Sequence, residues 1–192
     1  MAINIIDAVT DKLGIKHIQK IDPNTQEVKK PEQGSGDEFF YQAAIPAVIT
    51  GIYKFTRVKD GNTQLLFAHA SGNRMELIFG EAKGFVISKV AGYTGVTKEY
   101  AAERMENIAE KTTGILKEQF PKEATDAQVR GFFTDQRNNV LKYLPAGLKL
   151  GDIYHDDTVD DRTHKMEGPV SDYLHWIEKF FSGIDRKKEE NW

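Results

Sequence analysis

The sequence predicts an all-α fold, an irregular multi-helix bundle with short helices and two long ones. Apolar residues recur at three- and four-residue steps through most of the chain. Capping residues, glycines and prolines punctuate those stretches. No run shows the period of two that marks a half-buried strand.

The first periodic stretch is Ile3, Ile6, Val9 and Leu13, an apolar stripe on a short amphipathic helix that ends near Gly14, within an N-terminal segment of residues 1–21. Residues 22–36 contain the turn sequence Asp22-Pro23-Asn24-Thr25 and the run Lys29-Lys30-Pro31-Glu32-Gln33-Gly34-Ser35-Gly36, which has nothing apolar to bury. They read as a solvated, flexible linker. The N-terminal helix is thus expected to be tethered, folding back on the body or docking elsewhere.

The body is expected over residues 37–183. Asp37 and Glu38 favour a helix start through the dipole, and Phe39, Phe40, Ala43, Val48, Ile49, Ile52 and Phe55 carry it onward. Pro46 has no amide hydrogen, so a kink or restart is expected there. Short helices follow over 63–70, 73–80 and 81–92. Phe85-Val86-Ile87 has strand-like content, but a lone strand cannot satisfy its backbone, so a helix is the better assignment.

Thr97 begins the best-specified element, 98–119, in which Tyr100, Ala101, Arg104, Met105, Ile108, Ala109, Thr112, Ile115 and Leu116 keep helical spacing with charges opposite. Thr125 and Gln128 form a capping-box pattern ahead of Val129, Phe132, Phe133, Gln136, Val140, Leu141 and Leu144, with Pro145 as the expected stop. A last helix starts at Pro169, carries Val170, Tyr173, Leu174, Ile177, Phe180 and Phe181, and ends at Gly183; residues 184–192 form a charged tail.

The run Gly92-Tyr93-Thr94-Gly95-Val96-Thr97-Lys98-Glu99-Tyr100-Ala101-Ala102 and the later Gln136-Arg137-Asn138-Asn139-Val140-Leu141-Lys142-Tyr143-Leu144-Pro145-Ala146-Gly147-Leu148 share a helix rhythm and a Leu-Pro-x-x-Leu ending. Over about residues 70–150 this resembles the bacterial YidB-like family of domains of unknown function. The resemblance implies an all-helical bacterial protein and carries over no catalytic residue.

Composition excludes several function classes. Of 192 residues, 40% are apolar and 29% charged, enough for a core and too polar for a membrane span. No cysteine occurs, which removes disulfides, thiolate metal sites and cysteine nucleophiles. The net charge of −3 gives no bulk attraction to nucleic acid, and no basic run interleaves aromatics. The first residues lack the pattern of a secretory signal, so a cytoplasmic location is expected. There is no nucleophile elbow or phosphate-binding glycine loop, and the histidines stand apart.

The sharpest chemical signal is acidic. Asp156, Asp157 and Asp160 make an Asp-Asp-x-x-Asp motif that resembles the first aspartate-rich motif of polyprenyl diphosphate synthases, where carboxylates hold Mg²⁺ against a diphosphate. Only 32 residues follow Asp160, with no second such motif, and the chain is short for that fold. As a calcium loop, Asp156, Thr158, Asp160 and Glu167 fall at donor positions one, three, five and twelve, but Asp161 stands where glycine is needed. Asp156, Asp157, Asp160 and Glu167 are therefore candidate ligands for Mg²⁺ or Ca²⁺. The plainer alternative is an acidic surface loop, and no other cofactor is indicated.

Residues 151–192 hold 11 acidic and 6 basic side chains, a balance of −5, against +2 for the rest. With no acid, base and nucleophile in one pattern, the expected function is non-enzymatic: a binding or scaffold protein acting through helix–helix contacts with a protein partner or a second copy.

Overall fold

The computed structural model describes residues 3–25, 27–28, 36–58, 61–67, 73–121 and 124–150. In chain order the helices are α1 (Ile5–Leu13), α2 (Gly36–Phe55), α3 (Gly61–Phe67), α4 (Arg74–Phe79), α5 (Lys83–Thr94), α6 (Lys98–Gln119) and α7 (Asp126–Leu141). Single 3₁₀ turns lie at Gly80–Ala82 and Ala146–Leu148, and the described residues contain no strand. The fold is all-α, as expected.

The core is built around α2. Every residue from Phe40 to Tyr53 is buried, and α5, α6, α7, α4 and α1 all pack against this helix. A helix that is apolar all round needs such surroundings, because no face can be left to water. Pro46 lies inside α2 and does not end it. An interior proline costs about 3 kcal/mol or more in an isolated helix, but here the helix continues through it with neighbours packed on several sides. The Thr50 hydroxyl donates to the Pro46 carbonyl at 2.7 Å. Gly51 permits the approach of α4: a Cβ built there would lie 2.2 Å from the Phe79 ring.

Both long C-terminal helices start at the expected threonines. Thr97 Oγ1 accepts from the Tyr100 amide at 3.2 Å, capping α6. At α7, Thr125 Oγ1 accepts from the Gln128 amide, while Gln128 Oε1 accepts from the Thr125 amide at 2.8 Å. The end of α7 differs from expectation, since it stops at Leu141, ahead of Pro145. Turn bonds from Tyr143 to Val140 and from Leu144 to Leu141 carry the chain out before the proline is reached. Phe85-Val86-Ile87 is helical, within α5.

The N-terminal helix folds back onto the body. Ile5, Ile6 and Val9 are at most 1% exposed, in the same core as Phe40, Ile49, Met105 and Phe133, and α1 packs on α6 and α7. Asn4 caps it, and Gly14 ends it in the left-handed region at φ 67°. Beyond Gly14, the chain crosses the body. Gln42 Oε1 accepts from the Gln19 amide at 2.6 Å and Gln42 Nε2 donates to the Gln19 carbonyl at 2.7 Å. The Ile21 amide donates to the Lys142 carbonyl at 2.9 Å, and Val28 is buried. The linker expected over 22–36 thus begins attached, at Glu27 and Val28; residues 29–35 lie outside the described residues, as do the helix expected at 169–183 and the tail at 184–192.

Candidate functional site: the two ends of α2

The candidate ligands Asp156, Asp157, Asp160 and Glu167 all lie outside the described residues, so the structure neither gathers nor separates them. Among the described residues, no group of three or more His, Asp or Glu side chains is placed to hold a metal ion. His17, expected to stand apart, has neighbours: its ring nitrogens lie 3.7 Å from Asp7 and 3.9 Å from Asp11, on the outer side of α1. The turn at Gly14 brings these groups together, and neither spacing nor composition shows it.

At the N-terminal end of α2, side chains from α2 and α6 meet in register. Asp37 and Tyr41 are one turn apart on α2; Tyr100 and Arg104 are one turn apart on α6. The Tyr100 hydroxyl donates to Asp37 Oδ1 at 2.5 Å. Partial burial, followed by that bond and the charge on Asp37, raises the Tyr100 phenol above its ordinary value of 10.0, so it stays a donor. The phenols of Tyr41 and then Tyr100 raise the Arg104 guanidinium, which lies 5.3 Å from the centre of the Tyr100 ring. Phe40 packs edge-on against both tyrosines, at 5.4 Å from Tyr41 and 5.3 Å from Tyr100. Arg104 is half-buried and makes no ion pair with a described residue, and its Nε is without a hydrogen-bond partner. What remains is a guanidinium beside two phenols and a carboxylate, with donors left to offer to an oxygen acceptor.

The C-terminal end of α2 is also rich in arginine but is differently used. Arg57 donates to the Tyr53 hydroxyl and, at 3.1 Å, to Thr134 of α7, with its guanidinium 4.1 Å from the Tyr53 ring centre. Arg130 donates to the Thr56 carbonyl at 3.2 Å and pairs with Asp126 at 3.5 Å. Here guanidinium groups stitch α2 to α7.

Four further side chains, none singled out as a tie in the sequence, do structural work at long range. Gln136 accepts from the Ile5 amide at 3.0 Å and donates to the Ile3 carbonyl at 2.8 Å, clasping the start of α1. Gln42 holds residue 19 in the same two-point manner. Glu106 accepts from the amides of Arg74 and Met75, supplying the cap that Asn73 does not give α4. Glu27 accepts from the Tyr93 hydroxyl at 2.5 Å and from the Gly147 amide at 2.6 Å. A buried glutamine at an apolar position of a helical stripe is the one signal that could have pointed to Gln136, since it must find partners.

No protein-family model, no curated protein and no solved structure gives a match to the chain. The architecture defines the class, an all-α bundle threaded by a buried central helix. No helix among the described residues is long and apolar enough to cross a membrane.

Proposed function

We propose that this chain is a non-enzymatic binding or scaffold protein acting through helix–helix contacts, with the N-terminal ends of α2 and α6 as its contact face. The observation that carries this reading is Arg104, a guanidinium without an ion pair among the described residues, framed by Tyr41 and Tyr100. Arginine and tyrosine are enriched where protein interfaces concentrate their binding energy. The tight ties at Gln42, Gln136, Glu27 and Glu106 fit a rigid platform that presents such a face. The resemblance over residues 70–150 supports an all-helical bacterial protein.

The test is capture of protein partners on the immobilised full-length chain, followed by affinity measurement with the purified partner. Arg104→Ala is expected to weaken binding by about tenfold or more with an unchanged melting midpoint. An affinity that Arg104→Ala leaves intact, or the absence of any retained protein, overturns the reading.

The competing reading is divalent-cation binding at Asp156, Asp157, Asp160 and Glu167, supported by their spacing in the sequence. Calorimetric titration of the full chain with Mg²⁺, Mn²⁺ and Ca²⁺ tests it. Heat that disappears in Asp156→Asn/Asp160→Asn supports the site; no heat at millimolar metal, or equal heat in that variant, removes it.

A further inference from the structure

We propose that the outward face of α5 is the docking site for the chain's own segment 169–183. This goes beyond the contact face at α2 and α6 and does not depend on it.

Three observations lead there. Among the described residues the large hydrophobics left exposed are Val58, at 54%, and Phe85, at 45%. Val58 follows the end of α2 beside Arg57, whereas Phe85 sits on a helix. While Val86, Ile87 and Val90 of α5 enter the core, Phe85 faces out with exposed Gly84 and Gly92. A Cβ built on either of those glycines meets nothing within 4 Å, so a second helix can approach the backbone closely.

The second observation is where the described residues end. The turn Ala146–Leu148 packs on α5, with a Cβ built on Gly147 only 2.9 Å from the Tyr93 ring. Glu27 fixes the Gly147 amide, and Leu148 and Leu150 are buried. The described residues therefore end close after a turn that packs at the C-terminal end of α5. Phe85 is eight residues back along that helix from Tyr93, about 12 Å at 1.5 Å per residue. The 18 residues between Leu150 and Pro169 can span about 60 Å fully extended, so reach is no obstacle.

The third is the segment itself. Val170, Tyr173, Leu174, Ile177 and Phe180 keep helical spacing and form a stripe that gains by leaving water. Asp172 and Glu178 flank it, and Lys89 on α5, its ammonium 5.0 Å from the centre of the Phe85 ring, supplies the opposite charge at the face. A tethered segment meets that face at an effective concentration of order millimolar, which favours it over a second copy in dilute solution.

The test uses the full chain. Trp176 lies at the edge of the stripe, between Tyr173 and Phe180, and with Trp192→Phe as background its emission reports burial. Phe85→Asp is expected to shift Trp176 emission to the red and to lower amide-exchange protection over 170–181 by about tenfold or more. Val58→Asp is expected to leave both unchanged, with α6 protection intact in either variant. Because the chain has no cysteine, a nitroxide on Ser88→Cys is a clean second probe, expected to broaden resonances of residues 170–181 within the same molecule. Unchanged emission and protection in Phe85→Asp, or broadening seen only between labelled and unlabelled molecules, overturns the proposal.

Discussion

The two ends of α2 carry the same kinds of side chain and use them in opposite ways. At the C-terminal end, Arg57 and Arg130 are committed to Tyr53, Thr134, the Thr56 carbonyl and Asp126, and so bind α2 to α7. At the N-terminal end, the carboxylate Asp37 is committed to Tyr100, and Arg104 lies over the Tyr100 ring without an ion pair among the described residues. The sign of the helix end explains part of this. Acids at 37 and 38 and bases at 54 and 57 both suit the helix dipole. Arg104, near the acidic end, is favoured by the phenols of Tyr41 and Tyr100 and by the charges of Glu103 and Asp37.

The largest effects should come from the rings that anchor each end. Phe40 and Phe133 are fully buried, one against Tyr41 and Tyr100, the other against Tyr53 and Phe132. Replacing either by alanine is expected to cost about 3–5 kcal/mol in urea unfolding. Equal costs would show that both ends are equally packed and differ only in their polar chemistry.

Next is the clasp on α1. Gln136→Leu leaves the Ile5 amide and the Ile3 carbonyl without their partner, an expected loss of about 1–3 kcal/mol. Amide exchange should show α1 opening before α6. If α1 stays as protected as in the parent protein, the side chain is not its tether.

The arginines test the comparison directly. Arg57→Ala removes bonds to two hydroxyls, for an expected cost of about 1–2 kcal/mol, whereas Arg104→Ala should leave the melting midpoint where it was. The reverse order would break the contrast between a structural and an available guanidinium.

The smallest effect is at alkaline pH. Tyr100 is raised above 10.0 by burial and by its bond to Asp37, so the folded state favours the neutral phenol. That contribution is complete below pH 10.0 and is lost as pH rises through the higher folded value. Tyr143, raised by burial and by Asp7, behaves in the same sense. Urea midpoints of the parent protein should therefore fall more steeply than those of Tyr100→Phe above pH 10.0. Parallel curves would remove Tyr100 from the account.

The elements legible in advance were those governed by nearest neighbours. Thr97 and Thr125 cap their helices by bonding amides three residues away, and Gly14 ends α1 through its own backbone freedom. Pro46 does not restart the helix, because its local cost is offset by packing on several sides of α2. The pairing of Asp37 with Tyr100 was not legible, although each was placed at the start of its own helix. Asp37 and Tyr100 are 63 residues apart, and only the register of α2 against α6 sets their atoms 2.5 Å from one another.

The sequence by itself determined the helical class, most helix starts and the residues that face inward, since periodicity and capping act within a turn or two of chain. Tertiary structure alone decided that α1 belongs to the core, that Gln136 and Gln42 clasp distant backbone, and that Arg57 and Arg130 tie α2 to α7. Those outcomes depend on which helix faces meet, a choice made by shape and burial across the whole body and written in no short stretch of residues.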